Sequence, residues 1–187
     1  DGIVPYFIGN LPSNRRAPKK MKEEDKDKLV EKIITCLQKG YLDFTQQHEV
    51  DSYIDYFAVP KGENDIRMVF NGSSCGLNSA LFASNFWLPG SNTMTRLLSF
   101  GYKVVDMDIG EMFLNFPLHK SLKSSSGIDL SPLRYLLKTK GMIPPTMLSN
   151  KKLSAIWTSL WFGLRSSPEY ACAFYYLAEK FIRNNHK

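Results

Sequence analysis

The spacing of apolar residues early in the chain predicts one amphipathic helix. Over residues 23–39 the apolar positions recur every three or four residues, which places them on a single helical face. These positions are Leu29, Val30, Ile33, Ile34 and Leu37. Acidic residues crowd the first turn, where the helix dipole favours negative charge, and Gly40 supplies a stop at the other end.

Two segments further on are typical of strands, the first of them alternating and aromatic. Residues 53–59 (YIDYFAV) and 66–70 (IRMVF) flank the turn sequence PKGEND. This arrangement predicts a β-hairpin. Lys61 would lie in its turn and Arg67 on its returning strand.

The later segments differ in how clearly they predict an element. We expect a short helix over residues 93–100 and a strand over residues 102–107, whereas residues 122–127 (LKSSSG) indicate a loop. Two segments stay open between strand and helix, namely residues 129–142 and 155–162. Ser167, followed by a proline and an acid, is a typical helix start, and helical spacing continues from there.

Composition and charge limit the class of protein. The chain has 187 residues, enough for one domain with a core, and 43% of them are hydrophobic. No apolar run approaches the roughly 18 residues that span a membrane. The formal net charge is +6, and basic residues cluster near the start: Arg15, Arg16, Lys19, Lys20 and Lys22. This cluster is either a phosphate-binding patch or a solvated tail.

The cysteines do not predict a metal site. Cys36, Cys75 and Cys172 are far apart and have no zinc-binding spacing with each other or with a histidine. Free thiols are typical of intracellular proteins, so we expect the chain to work inside a cell, in the cytoplasm or the nucleus.

The segment with the most chemical content is VVDMDIGEMFLNFPL at residues 104–118. Asp108 ends the predicted strand, a turn through Gly110 follows, and Phe113 comes five residues after the aspartate. A carboxylate at the end of a strand and a neighbouring carbonyl can bind Mg²⁺, and the amides of the turn can contact a triphosphate. The aromatic ring can form the floor of a sugar pocket. Asp106 would point to the same face as Asp108. Taken singly, Asp108 could equally cap a turn and Phe113 could belong to the core.

Two further segments could contact a nucleotide. GLRSSP, at residues 163–168, joins a glycine turn to the predicted helix start, and backbone there can approach a base closely. Lys61 and Arg67 lie within six residues of each other on the predicted hairpin and could clamp a triphosphate. An ordinary loop and a solvated hairpin are the alternative interpretations.

Taken in order, these segments resemble the fingers and palm of reverse transcriptases of the retroviral and retrotransposon type. Motif A of that family is an aspartate, a glycine turn, an aromatic residue five positions on and a Pro-Leu pair. The matching residues are Asp108, Gly110, Phe113, Pro117 and Leu118. Motif B is a glycine followed by a Ser-Pro pair that opens a long helix, and Gly163, Ser167 and Pro168 match it.

The resemblance implies an α+β fold with polymerase fingers and a partial palm, built from a small antiparallel sheet with packed helices. It divides the chain into a basic extended lead (1–21), a fingers-like part (22–101) and a partial palm with motifs A and B (102–187). The implied activity is RNA-directed DNA synthesis, in which two metal ions assist the transfer of dNTPs onto a primer 3′ end. The implied partners are an RNA or DNA template with its primer, a dNTP, and Mg²⁺ or Mn²⁺.

The resemblance also assigns residues to the metal and the triphosphate. Asp108 would bind both catalytic metals, with the Ile109 carbonyl assisting one of them. Four residues would contact the nucleotide phosphates, two through cationic side chains and two through main-chain amides: Lys61, Arg67, Glu111 and Met112.

The remaining assignments concern the sugar and the base. Phe113 would stack below the sugar and leave no room for a 2′-hydroxyl, which implies DNA rather than RNA synthesis. Phe162, Gly163 and Arg165 would lie beside the template–nucleotide pair. Retroviral members usually carry glutamine where this chain has Phe162, so that contact departs from the family pattern.

The family's motif C, a hairpin that bears two consecutive aspartates, does not occur in these 187 residues. One carboxylate is a poor two-metal site, so we expect the chain alone not to polymerise. It would be the fingers and half the palm of a longer enzyme, with an exposed apolar sheet edge. The alternative is a non-catalytic nucleic-acid-binding remnant. An RNA-dependent RNA polymerase is disfavoured, because that family has a second acid where this chain has Phe113.

Overall fold

The helices and strands alternate in a mixed order along the chain. A computed structural model describes residues 2–14, 21–88, 90–101, 103 and 108–184. The helices are α1 (Glu23–Gln38), α2 (Leu77–Ala80), α3 (Ser91–Leu97), α4 (Lys120–Lys123), α5 (Arg134–Thr139) and α6 (Ser167–Asn184). The strands are β1 (Leu42–Thr45), β2 (Asp55–Lys61), β3 (Asp65–Asn71), β4 (Gly127–Asp129) and β5 (Ser154–Trp157). Short 3-10 turns cover Gln47–Glu49, Met112–Asn115, Ser131–Leu133 and Pro145–Met147.

The fold class is the expected α+β, with small antiparallel sheets and several helices. In the described part of the chain β5 lies between β1 and β4, and β2 pairs with β3. The predicted strand at residues 102–107, which includes Asp106, falls largely outside the described residues. Four basic residues of the predicted N-terminal patch also lie outside them, namely Arg15, Arg16, Lys19 and Lys20.

Helix α1 confirms the predicted amphipathic helix and ends one residue earlier than expected. Leu29, Val30 and Ile33 are fully buried, and this face packs against β1, β3 and α5. The chain turns away at Gly40, whose φ of +69° favours glycine. The short helix predicted at residues 93–100 is present as α3, shifted towards the N-terminus.

The predicted hairpin is confirmed as the pair β2 and β3. Lys61 pairs with Asp65 across the ladder, and Arg67 lies two positions further along the same face. Partners across an antiparallel ladder share a face, so Lys61 and Arg67 point to one side. Both are exposed, whereas Tyr56 and Phe70 on the opposite face are buried.

The tip of the hairpin is joined to α1 by an ion pair that depends on pH. Lys32 Nζ lies 3.0 Å from an Asp65 carboxylate oxygen. The hydrogen bond from Lys32, together with one from the Ile66 amide, holds the pKa of Asp65 below its ordinary value. Because the folded-state pKa lies below the unfolded one, this carboxylate stabilises the fold above the unfolded pKa. The contribution is lost as the pH falls through the lower, folded-state pKa.

We therefore expect the stabilising effect of Asp65 to shrink on acidification. The free energy of unfolding should differ between the wild type and Asp65→Asn at neutral pH, and the difference should be smaller at about pH 3. Urea titrations at both pH values measure this change. Lys32→Met should remove most of the same pH dependence, and a wild-type advantage that stays constant with pH would contradict the assignment.

The open segment at residues 155–162 begins as a strand. β5 lies at the centre of the three-stranded sheet, and Ala155 and Trp157 are buried on it. The Phe70 ring meets the Trp157 ring edge-on, with centroids 4.8 Å apart. This contact packs the hairpin onto the sheet and places the end of β3 beside the segment that follows β5.

The loop predicted at residues 122–127 is confirmed only at residues 124–126, which form the turn between α4 and β4. Leu122 belongs to α4 and is buried, and Gly127 opens β4. A Cβ atom at Gly127 would stand 2.4 Å from Val50 Cγ1, so the glycine permits a close approach between two segments. The serines form the turn that precedes β4, and Ser125 and Ser126 are buried there. The other open segment, residues 129–142, forms a 3-10 turn followed by α5.

Helix α6 starts at Ser167, as predicted. The Ser167 hydroxyl donates to the Trp161 carbonyl at 3.0 Å, which ties the helix start to the preceding loop. Several large apolar side chains of α6 are exposed: Phe174, Tyr176, Leu177, Phe181 and Ile182. Within the described ranges, no helix is long and apolar enough to cross a membrane.

Candidate functional site

The turn that carries Asp108 is open to solvent. Asp108 and Ile109 are exposed, and a Cβ atom added at Gly110 would meet nothing within 4 Å. Glu111 then adopts a left-handed conformation with φ of +56° and leads into the 3-10 turn that contains Phe113. The carboxylate and the ring of the predicted motif A therefore belong to one short, accessible turn.

The side chain of Glu111 joins this turn to the end of α1. Lys39 Nζ donates to Glu111 Oε1 at 2.6 Å, and the Tyr41 hydroxyl donates to Oε2 at 2.7 Å. The hydrogen bond from Lys39, followed by that from Tyr41, lowers the pKa of Glu111 below its ordinary value. The bond to Glu111 also raises the pKa of Tyr41. Sequence reasoning missed Lys39 and Tyr41, since neither lies in a recognisable motif.

A second set of hydrogen bonds joins the turn to α6. Asn115 Nδ2 donates to the Gly110 carbonyl at 3.3 Å and to the Tyr175 hydroxyl at 3.1 Å. The Tyr175 hydroxyl in turn donates to the Met112 carbonyl at 3.4 Å. The 110–115 turn is therefore held both by the end of α1 and by α6.

The structure brings two predicted site residues into direct contact. The rings of Phe113 and Phe162 meet edge-to-face, with centroids 4.7 Å apart and an interplanar angle of 62°. Such pairs are worth about 0.5–1.5 kcal/mol beyond their buried area. Phe162 is about half exposed, at 49%. The two rings together form an apolar surface beside the Asp108 turn.

The loop that carries Phe162 is held in place by Asn78. Its Nδ2 donates to the Gly163 carbonyl at 2.8 Å, and its Oδ1 accepts from the Arg165 amide at 2.9 Å. Gly163 has φ of +106°, and a Cβ atom there would lie 2.2 Å from the Phe70 carbonyl oxygen. Nothing in the sequence indicated that Asn78 organises this loop.

The two predicted phosphate ligands lie on the hairpin and not in the turn. Lys61 and Arg67 are on its exposed face, towards the tip, whereas Phe70 at the other end of β3 touches Gly163. One rigid hairpin therefore carries both cations and supports the loop of Phe162. The Lys61 ammonium group and the Arg67 guanidinium group are both accessible to a ligand.

A groove of about 860 Å³ runs beside the Asp108 turn. It is lined by the turn through Ile109 and Met112, by α6, and by an aromatic segment at residues 84–88. That segment is fastened to α6, because the amide of Ser84 donates to Glu169 at 3.1 Å and its hydroxyl donates to the other carboxylate oxygen. A groove of this size and apolar character fits a ligand or a packed segment of protein.

The donor set at the turn suits only part of a metal site. Asp108 offers a carboxylate and Ile109 a carbonyl, both of them oxygen ligands of the kind that Mg²⁺ prefers. In the described ranges, no group of three or more Asp, Glu, His or Cys side chains could hold a metal ion. Mg²⁺ is commonly bound by one or two carboxylates plus substrate phosphates. The turn therefore fits Mg²⁺ as a partial site that needs further oxygen ligands.

Comparison with known proteins gives a likeness of fold. No protein-family model matches the chain, and no curated protein matches its sequence. The solved structure of a foamy viral protease–reverse transcriptase in complex with double-stranded DNA superposes with a TM-score of 0.62. The two chains are 17% identical, and the match covers 91% of this chain but 26% of the viral one. The chain therefore has a fold distantly like that of a reverse transcriptase and spans about a quarter of that protein's length.

Proposed function

We propose that the chain is the fingers and partial palm of an RNA-directed DNA polymerase of retrotransposon type. The parent enzyme would transfer dNTPs onto the 3′ end of a primer that is paired with an RNA or DNA template. The observation that supports this most is the turn that joins the exposed Asp108 to the half-buried Phe113, since it occurs within a fold like that of a reverse transcriptase. The spacing of Asp108, Gly110 and Phe113 would then serve to bind a metal ion, a triphosphate and a sugar on one turn.

The residues of the turn would bind and orient the reacting phosphates. Asp108, with the Ile109 carbonyl, would hold Mg²⁺ or Mn²⁺, which when bound would neutralise negative charge on the triphosphate. Lys61 and Arg67 would neutralise the remaining phosphate oxygens from the hairpin. The main-chain amides of Glu111 and Met112 would donate to the same triphosphate, and phosphoryl transfer requires little more of the protein than such positioning.

The ring of Phe113 would discriminate between deoxyribose and ribose. Its edge-to-face contact with Phe162 covers one side of the ring, and this contact would help to keep the ring in place beneath a bound sugar. Phe162, Gly163 and Arg165 would face the template–nucleotide pair on the same side.

Replacing Phe113 with valine is expected to relax sugar selection. The smaller side chain leaves room for the hydroxyl, so the preference of the primer–template complex for a dNTP over the matching rNTP should fall by about tenfold. Competition titrations in the presence of Mn²⁺ measure that preference. Phe82→Val, at another partly exposed phenylalanine, should leave it unchanged. An unaltered preference in Phe113→Val would mean that the ring is only part of the core.

Because the metal site of the turn is only partial, we expect the chain by itself not to polymerise nucleotides. The carboxylates that complete a two-metal site would come from the remainder of the polymerase. The exposed apolar face of α6 and the groove beside Ile109 offer that remainder a surface to pack against. Nucleotidyl transfer would therefore appear only when the rest of the palm is present.

A non-catalytic nucleic-acid-binding remnant is the second candidate, and the lack of a complete metal-ligand set among the residues that the structure describes favours it. Fluorescence anisotropy with a labelled primer–template hybrid distinguishes the two. Under both functions, binding should weaken as salt is added. Only a polymerase fragment should bind the hybrid more tightly when Mn²⁺ and the complementary dNTP are added. Salt-sensitive binding with no response to Mn²⁺ and dNTP would support the remnant, and no binding at all would overturn both.

A further inference from the structure

Glu111 has an unusual backbone conformation for its residue type. In the part of the chain that the structure describes, it is the one non-glycine residue with positive φ, at 56°. Side chains with a Cβ atom disfavour this left-handed region, so surrounding interactions must maintain it. Its neighbour Gly110 would adopt a left-handed conformation more easily, yet in this turn Glu111 is the residue that has it.

The hydrogen bonds of the Glu111 side chain supply such interactions. Each carboxylate oxygen accepts one short bond, from Lys39 at 2.6 Å and from Tyr41 at 2.7 Å. Hydrogen bonds to a charged acceptor are stronger than neutral ones. Both partners lie at the junction of α1 and β1, so one side chain reaches from the turn to the fingers-like part of the chain.

The Tyr41 partner of Glu111 is itself held firmly by its backbone. The Tyr41 amide donates to the Cys36 carbonyl of α1 at 2.9 Å, and the Tyr41 carbonyl accepts from the Thr158 amide at 3.0 Å. The second bond connects the junction to the end of β5. The Glu111 side chain is therefore attached to a rigid corner where helix α1 meets the three-stranded sheet.

We propose that Glu111 is a positioning residue, whose side chain, held by Lys39 and Tyr41, fixes the direction in which the turn presents Asp108 and Phe113. Asp108 lies three residues before it and Phe113 two residues after it. A rotation about the Glu111 backbone would therefore move the carboxylate and the ring relative to each other. The inference rests on the proposed function of that turn. It gives the Glu111 side chain a positioning role, in addition to the phosphate contact proposed for the Glu111 main-chain amide.

The test uses the whole chain and two measurements. Hydrogen exchange of the amides in residues 110–115 reports the rigidity of the turn without reference to any ligand. Isothermal titration with Mn²⁺ and 2′-deoxyadenosine triphosphate reports nucleotide binding. The variants are Tyr41→Phe, which removes one hydroxyl, Glu111→Ala, Glu111→Gln and Glu111→Gly. Glu63→Gln, at an exposed acid in the hairpin turn, is the matched control.

Tyr41→Phe and Glu111→Ala should each raise exchange in the turn and weaken nucleotide binding by about tenfold, because each removes a bond to a charged group. The double variant should be no worse than Glu111→Ala alone, since both changes remove the same contact. Glu111→Gln, which keeps the length of the side chain, should lie between the wild type and Glu111→Ala. Glu63→Gln should match the wild type in both measurements.

Glu111→Gly distinguishes the effect of the side-chain hydrogen bonds from the cost of positive φ at this position. Glycine adopts positive φ freely, but it has no side chain that Lys39 and Tyr41 could hold. Exchange and binding equal to the wild type in Glu111→Gly would overturn the proposal, as would unchanged exchange in both Tyr41→Phe and Glu111→Ala. A wild-type chain that binds no Mn²⁺-nucleotide would overturn the proposed function, and with it the positioning role, even if the variants raise exchange. The two failures are therefore distinguishable.

Discussion

Replacing Gly163 with alanine is expected to lower the free energy of unfolding by about 3 kcal/mol. The new Cβ atom would stand 2.2 Å from the Phe70 carbonyl oxygen, a backbone atom that cannot move without shifting β3. The φ of +106° at this position is also unfavourable for alanine. Both costs fall on the loop that carries Phe162 and that Asn78 holds by hydrogen bonds.

Gly62→Ala is the matched control for this substitution. Gly62 also has positive φ, +68°, but a Cβ atom there would meet nothing within 4 Å. Only the conformational cost of about 1 kcal/mol should then remain. Guanidinium denaturation of both variants measures the two values, and the Gly163 variant should also melt roughly 6–12 °C below the wild type. Equal losses in the two variants would show that the contact between Gly163 and Phe70 is not tight.

Replacing Asp108 with asparagine is expected to abolish the part of nucleotide binding that depends on Mn²⁺. The amide keeps the size of the side chain but removes the negative charge that a divalent cation requires. Asp108 is exposed, so its replacement should leave the free energy of unfolding within about 0.5 kcal/mol of the wild type. A loss of Mn²⁺-dependent nucleotide binding would therefore be due to the missing metal ligand and not to unfolding of the protein.

The measurement is an isothermal titration of the chain with 2′-deoxyadenosine triphosphate, with and without Mn²⁺. Wild-type protein should bind more tightly with the metal, and Asp108→Asn should bind equally with and without it. Asp43→Asn, at an exposed carboxylate on β1, should behave as the wild type does. If Asp108→Asn still responds fully to Mn²⁺, another group holds the metal and the assignment of Asp108 is wrong.

The elements that sequence reasoning predicted correctly are those fixed by local interactions. Helix α1 follows from its apolar period and from the stop at Gly40, and the hairpin follows from alternation around a turn. The serine-rich stretch at residues 122–127 shows where this approach is only partly successful, since residues 124–126 form a turn but both ends belong to regular elements. Its composition is typical of a loop, yet Leu122 is buried and Gly127 pairs in the sheet. Gly127 packs so closely against Val50 that a Cβ atom would not fit, and Val50 is distant in sequence.

The candidate site divides in the same way. The order of Asp108, Gly110 and Phe113 was visible in the sequence, and the structure places Asp108 and Phe113 on one short turn. The resemblance assigned Phe113 to the sugar and Phe162 to the base pair, but it did not predict that the two rings touch. It also gave Glu111 a main-chain role only. Metal binding and the phosphate contacts of Lys61 and Arg67 remain predictions.

The sequence by itself determined the helix α1, the hairpin, the start of α6 and the spacing within the turn, because periodicity, capping and turn chemistry act over a few neighbouring residues. Only the tertiary structure decided what holds the turn and the loop. The bond from Lys39 to Glu111 joins positions 72 residues apart, and that from Asn78 to Gly163 joins positions 85 apart. Such contacts depend on how α1, the hairpin and α6 pack together, and no local pattern records that packing.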